Sequence, residues 1–90
     1  MHELGIAEAI VRAVAAEAGE RGARRVRAVD LDIAVTEGLS RESLRAAFAL
    51  AAAGTVAEGA VLRVHLVHDS RGRPRAAWTV RSATMVLRDP

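Results

Sequence analysis

The stretch VDLDIAV, residues 29–35, decides the fold of this 90-residue chain. Every second residue in it is apolar, which is the period of a β-strand with one buried face. The buried face is predicted to carry Val29, Leu31, Ile33 and Val35. The other face carries Asp30 and Asp32, so this strand is expected to be half-buried, with its polar side toward water.

Helical periodicity lies on both sides of this strand. Upstream, apolar residues recur every three or four positions and predict a helix from Leu4 to about Gly19. Its apolar stripe consists of Leu4, Ala7, Ile10, Val11, Val14 and Ala18. Downstream, Gly38 and Ser40 break the strand, Ser40 is a preferred N-cap, and a second helix ends at Gly54. Its stripe consists of Leu44, Ala47, Phe48 and Ala51.

Two further strands are predicted in the last third of the chain. Residues 61–67 alternate again, residues 69–75 form a polar turn that predicts a hairpin, and residues 77–87 form a third strand. The apolar phase of the third strand is unclear around residues 82–85, which predicts a bend or bulge there. We therefore expect one α+β domain over residues 1–90, with two helices packed on a three-stranded, mainly antiparallel sheet.

Composition excludes several classes of function. The chain has no Cys, so neither a disulfide framework nor a thiolate metal site is available within it. The net charge is only +2, and one Trp and one Phe offer little base stacking, which argues against nucleic acid as a partner. Neither a signal peptide nor a membrane span is predicted, so we expect a soluble cytoplasmic protein without a membrane partner. The small core leaves room for a homodimer to add stability.

Catalytic patterns are weak in this sequence. There is no Gly-rich phosphate loop, and Ser70 beside His68 and Asp69 does not make a catalytic triad, whose members converge from separate elements. Asp30 and Asp32 share a strand face and could do acid–base work, but a solvated face countered by nearby Arg is the simpler interpretation. The Arg residues at 71, 73 and 75 have two interpretations. They contact phosphate or an acidic partner, or they simply form a solvated turn. We expect no enzyme.

The first three residues carry the strongest chemical signal. Met1, His2 and Glu3 place an α-amine, an imidazole and a carboxylate together, a nitrogen-rich donor set that suits Ni(II) or Cu(II). The amine, the His2 backbone nitrogen and the His2 ring can close adjacent chelate rings on one ion. His65 and His68 are alternative distal ligands, although their odd spacing directs them to opposite faces of a strand.

An ordered set of short segments resembles the hydrogenase nickel-incorporation proteins, the HypA family. It begins with Met1-His2-Glu3-Leu4 and Ile6-Ala7-Glu8-Ala9 and continues through residues 21–26, 29–35, 44–48 and 53–60 into the strand at 62–67. The resemblance implies that Met1, His2 and Glu3 hold Ni(2+). It also implies a metallochaperone that passes nickel to the large subunit of [NiFe] hydrogenase, or toward urease, with a HypB-type GTPase as partner.

The chain departs from the family in two places. The family inserts a zinc-binding domain with paired CxxC motifs between the second and third strands, where this chain has only residues 69–75 and no Cys. Zinc is therefore not expected. Residues 34–38 keep only part of the family's Gly-Glu-Leu-Ser-Gly type sequence. Two hypotheses follow: a nickel metallochaperone with an intact terminal site, and a family-derived interaction or regulatory module without metal delivery.

Overall fold

The architecture is a mixed sheet with two helices on one face. The computed structural model describes residues 3–34, 39–67 and 78–89. The elements, in chain order, are helix α1 (Glu3–Arg21), strand β1 (Ala23–Ala34), helix α2 (Arg41–Ala52), strand β2 (Val61–Val67) and strand β3 (Trp78–Leu87). The sheet has the order β2-β1-β3, with β1 parallel to β2 and antiparallel to β3. The predicted α+β class is confirmed, and the sheet contains one parallel and one antiparallel pair.

The strand order corrects one prediction. β2 and β3 lie on opposite edges of β1 and are not neighbours, so the hairpin predicted between them is wrong. Helix α2 brings the chain back parallel to β1 on one side, and β3 pairs with the other edge of β1 rather than with the free edge of β2. Residues 69–75, to which the hairpin turn was assigned, lie outside the described residues.

Helix α1 buries a stripe slightly rotated from the predicted one. Its buried residues are Ile6, Ala7, Ile10, Val11, Val14 and Ala18. Leu4, predicted to be in the core, is 45% exposed, and Ile6 is buried instead. At 3.6 residues per turn, Leu4 lies about 80° from the centre of the buried stripe, which is just beyond its edge.

Strand β1 forms the middle of the sheet and of the core. Its residues Val29, Leu31 and Ile33 are fully buried, as the alternation predicts. They pack with Phe48, Leu44, Ile10, Val14 and Val26, which are also among the largest fully buried side chains. The strand begins at residue 23, six residues earlier than predicted, and pairs there with β3 through register shifts. β3 does contain an irregularity, but it falls at Arg81, just before the predicted range of 82–85, between the pairs Asp30–Ser82 and Leu31–Val80.

Helix α2 connects β1 to β2 and is fixed at both ends. The Ser40 hydroxyl accepts a hydrogen bond from the Ser43 N–H at 3.0 Å, which confirms the predicted N-cap. After the helix, residues 53–60 form a series of turns, joined to β1 by a hydrogen bond from the Val26 N–H to the Val56 carbonyl at 2.9 Å. Among the described residues no helix is both long and apolar enough to cross a lipid bilayer.

Candidate functional site

Of the three predicted terminal ligands, Glu3 is the one that the structure describes. It is the first residue of helix α1 and is half-buried. Met1 and His2, the other two predicted ligands, lie outside the described residues.

The two other histidines do not add a second candidate site in this part of the chain. His65 lies on β2 and its Nε2 is 3.4 Å from Oδ1 of Asp30. His68 lies outside the described residues. Among residues 3–34, 39–67 and 78–89, no group of three or more His, Asp or Glu side chains is placed to hold a metal ion. The metal prediction therefore depends on the terminal residues.

Asp30 is the centre of a polar network on the open face of the sheet. Arg63 donates from Nε and Nη2 to its two oxygens at 2.8 and 3.0 Å, and the Ser82 hydroxyl donates to Oδ2 at 3.1 Å. The bidentate Arg63 hydrogen bond, with further contacts from His65 and Ser82, holds the pKa of Asp30 well below its usual range, although desolvation opposes it. The same pair raises the pKa of Arg63. A carboxylate that stays ionised is a poor proton carrier, so Asp30 is a structural anion.

Asp32 is matched by a different arginine. Arg81 donates from Nη2 and Nε to the two Asp32 oxygens at 2.7 and 3.2 Å. Arg81 is the extra residue of the β3 irregularity, and such bulges re-aim side chains. The interpretation of Asp30 and Asp32 as an ion-paired, solvated face is confirmed, and the acid–base alternative has no support in the geometry. The sequence alone does not identify these partners, because they depend on strand pairing: the parallel register of β1 with β2 places Asp30 opposite Arg63, and Arg81 lies on β3, on the other side of β1.

The fold itself places the chain among small two-layer α+β domains, and one solved structure shares it closely. The solution structure of the Ni metallochaperone HypA from Helicobacter pylori aligns with a TM-score of 0.76 over 98% of this chain and 100% of that one. Sequence identity in the alignment is 13%, so this likeness concerns the fold. Residues 1–71 match the family described as hydrogenase/urease nickel incorporation, metallochaperone, hypA. The chain belongs to the HypA family.

Curated relatives agree with this assignment. A hydrogenase maturation factor HypA from Chlorobaculum tepidum is 40% identical over 75 residues, which cover 83% of this chain and 64% of that protein. A hydrogenase maturation factor HypA from Chlorobium limicola is 50% identical over 64 residues, which cover 71% of this chain and 55% of that protein. The chain thus spans between about half and two thirds of the length of these relatives.

Proposed function

We propose that this chain is a nickel-binding metallochaperone that assists nickel insertion into [NiFe] hydrogenase or a related nickel enzyme. The observation that carries the proposal is the family match over residues 1–71, because this range includes Met1, His2 and Glu3. It is supported by the position of Glu3, which is the first residue of α1 and directly follows Met1 and His2 in the sequence.

The proposed site is the terminal tripeptide, with Met1 as the free terminus. The Met1 amine, the His2 backbone nitrogen and the His2 ring supply nitrogen donors, and Glu3 adds an oxygen. Nickel(II) accepts such a tetragonal set. The metal is cargo in this account, so few donors at an accessible terminus suit a site that must also release it. The chain itself performs no catalysis.

Delivery requires partners from the maturation machinery. By analogy with the family, we propose a HypB-type GTPase and the hydrogenase large subunit as partners, in the cytoplasm, with a homodimer of this chain as one form of the carrier. Urease is the other enzyme that the family description includes. No zinc is expected in this chain, because it lacks the cysteines of the family's zinc motifs.

A second candidate is an interaction or regulatory module that has lost metal delivery. The lack of any Cys favours it, because the chain has none of the thiolates of the family's zinc motifs. The two candidates differ in a measurable property, because only the metallochaperone needs a functional terminal site.

Nickel titration by calorimetry on untagged protein separates them. We expect the unmodified chain to bind one Ni(II) and His2→Ala to lose at least tenfold in affinity. His65→Ala is the matched control, because it removes an imidazole that is paired with Asp30 rather than one at the terminus. If the unmodified chain and His2→Ala bind nickel equally, or if neither binds it, the metallochaperone proposal fails and the interaction module is favoured.

A further inference from the structure

A shallow cleft lies between the first half of β1 and the turn that precedes β2. Its volume is about 300 Å³, and it is lined by Arg25, Val26, Arg27, Glu58 and Gly59. Arg25 and Arg27 are both exposed, whereas Val26 between them is buried in the core. The cleft therefore presents two guanidinium groups from one strand to solvent.

The wall opposite these arginines is a fixed turn. The segment 53–60 is tied to β1 by the hydrogen bond from Val26 to Val56, and within itself by the Ala60 N–H donating to the Ala57 carbonyl at 3.0 Å. The Glu58 carboxylate accepts the Gly54 N–H at 2.8 Å, which closes the turn. Gly59 has a φ of 78° and lines the cleft without a side chain. A wall fixed in this way lowers the ordering cost of binding.

The positive charge of the cleft is not matched by a carboxylate in the described part of the chain. Asp30 pairs with Arg63, Asp32 with Arg81, and Glu17 with Arg21. Within residues 3–34, 39–67 and 78–89, no acidic oxygen is paired with Arg25 or Arg27. Glu58 is the one acidic side chain that lines the cleft, and its carboxylate is engaged with the turn.

We propose that this cleft binds an acidic segment of a partner protein. A single small anion on two exposed arginines would gain little, because exposed ion pairs are individually weak. An extended segment with several carboxylates can pair with Arg25 and Arg27 at once. Nucleic acid fits less well, because the cleft is lined by no aromatic side chain on which a base could stack. The site is separate from the terminal tripeptide and does not depend on nickel.

Binding of a fluorescently labelled octaglutamate peptide to the full chain tests this proposal. At about 50 mM salt we expect saturable binding that weakens as the salt concentration rises, because exposed charges are screened. The double variant Arg25→Gln/Arg27→Gln should bind the peptide about fivefold more weakly or worse. The matched control Arg12→Gln/Arg41→Gln removes the same charge from exposed positions on the two helices and should change affinity less than twofold. Circular dichroism should show that both variants fold.

Glu58→Gln gives an independent check in the opposite direction. Glutamine can still accept the Gly54 N–H, but the negative charge in the cleft is gone, so the peptide should bind about twofold more tightly. Equal losses of peptide affinity in the Arg25/Arg27 and Arg12/Arg41 double variants would overturn the proposal. A third double variant, Arg71→Gln/Arg73→Gln, would overturn it if peptide binding were weakened in that variant alone. Tighter binding of a DNA duplex than of octaglutamate at the same salt would overturn it in favour of nucleic acid. No measurable peptide binding at 50 mM salt would also overturn it.

Discussion

Asp30 connects all three strands of the sheet through side-chain contacts. It lies on the central strand β1 and accepts hydrogen bonds from Arg63 on β2 and Ser82 on β3. Asp32, two residues further along the same face, is paired with Arg81 on β3. At the scale of single residues, the open face of the sheet is therefore neutralised by pairs between neighbouring strands rather than by solvent alone.

The depressed pKa of Asp30 predicts how stability depends on pH. Because the folded pKa lies below the unfolded value of about 3.9, the contribution of Asp30 is present above that value and is lost as pH falls below it. We expect Asp30→Asn to lower the free energy of unfolding at pH 7, and the difference from the unmodified chain to shrink between about pH 5 and pH 2. Urea denaturation across this range measures it, with Asp89→Asn, an exposed position, as control. A difference that stays constant with pH would contradict the network.

Two glycines in the same turn should respond in opposite directions to alanine. Gly22 ends helix α1 with a φ of 66°, a left-handed conformation that costs other residues about 1–2 kcal/mol. Gly22→Ala should therefore destabilise the protein by about 1 kcal/mol. Gly19 lies inside the helix, and a methyl group added there would meet open space. Gly19→Ala should therefore stabilise the protein by up to about 1 kcal/mol. Thermal unfolding of both variants tests the pair, and a shift in the same direction would contradict this conformational account.

At the scale of elements, helix α2 determines on which side of β1 the second strand can pair. It leaves β1, crosses the sheet and returns the chain parallel to β1, so β2 occupies one edge and β3 the other. Ser40 caps the N-terminus of this helix, and its buried face consists of Leu44, Ala47, Phe48 and Ala52.

The buried and exposed faces of α2 predict a large contrast between two substitutions. Phe48 is 2% exposed and is the largest fully buried side chain of the core, whereas Leu50 on the same helix is 74% exposed. Phe48→Ala should lower the free energy of unfolding by about 3–5 kcal/mol, because it removes buried apolar surface and leaves a cavity. Leu50→Ala should change it by less than about 0.5 kcal/mol. Chemical denaturation of both variants measures the contrast. Similar costs at the two positions would mean that the helix is packed in a different rotation.

The N-cap of α2 gives a smaller, matched contrast. Ser40→Ala removes the hydroxyl that accepts the Ser43 N–H and should destabilise by about 1 kcal/mol. Ser43→Ala, one turn later and exposed, keeps that hydrogen bond because its backbone N–H is the donor, and it should be neutral or slightly stabilising. Equal destabilisation by both substitutions would argue against the cap.

The elements could be predicted from the sequence more fully than their arrangement. β2 occupies residues 61–67, as its alternation predicts. The N-cap at Ser40 could also be predicted, because a short polar side chain there directly precedes the apolar stripe of a helix. The first six residues of β1 were missed because the exposed side chains of Arg24, Arg25 and Arg27 interrupt the period of two where the pairing shifts register. Strand order was missed because hydrophobic periodicity identifies the buried face of a strand but not its neighbours. The partners of Asp30 depend on that order and were missed with it.

At the scale of the whole molecule, the proposed metal site and the arginine cleft lie at opposite ends of α1. Glu3 begins this helix and Arg21 ends it, which is a separation of about 27 Å. The chain turns at Gly22 into β1, so Arg25 and Arg27 lie toward the far end from the terminus. Substitutions in the cleft should leave nickel binding unchanged, and substitutions at the terminus should leave peptide binding unchanged.

The central claim is that Met1, His2 and Glu3 bind nickel through the free amine, and one calorimetric comparison tests it most directly. Nickel is titrated into the chain that starts at Met1 and into the same chain with its N-terminal amine acetylated. Acetylation removes the amine as a metal donor while every side chain is kept. We predict one Ni(II) bound by the first protein and at least tenfold weaker binding by the second. Equal affinities would contradict the claim.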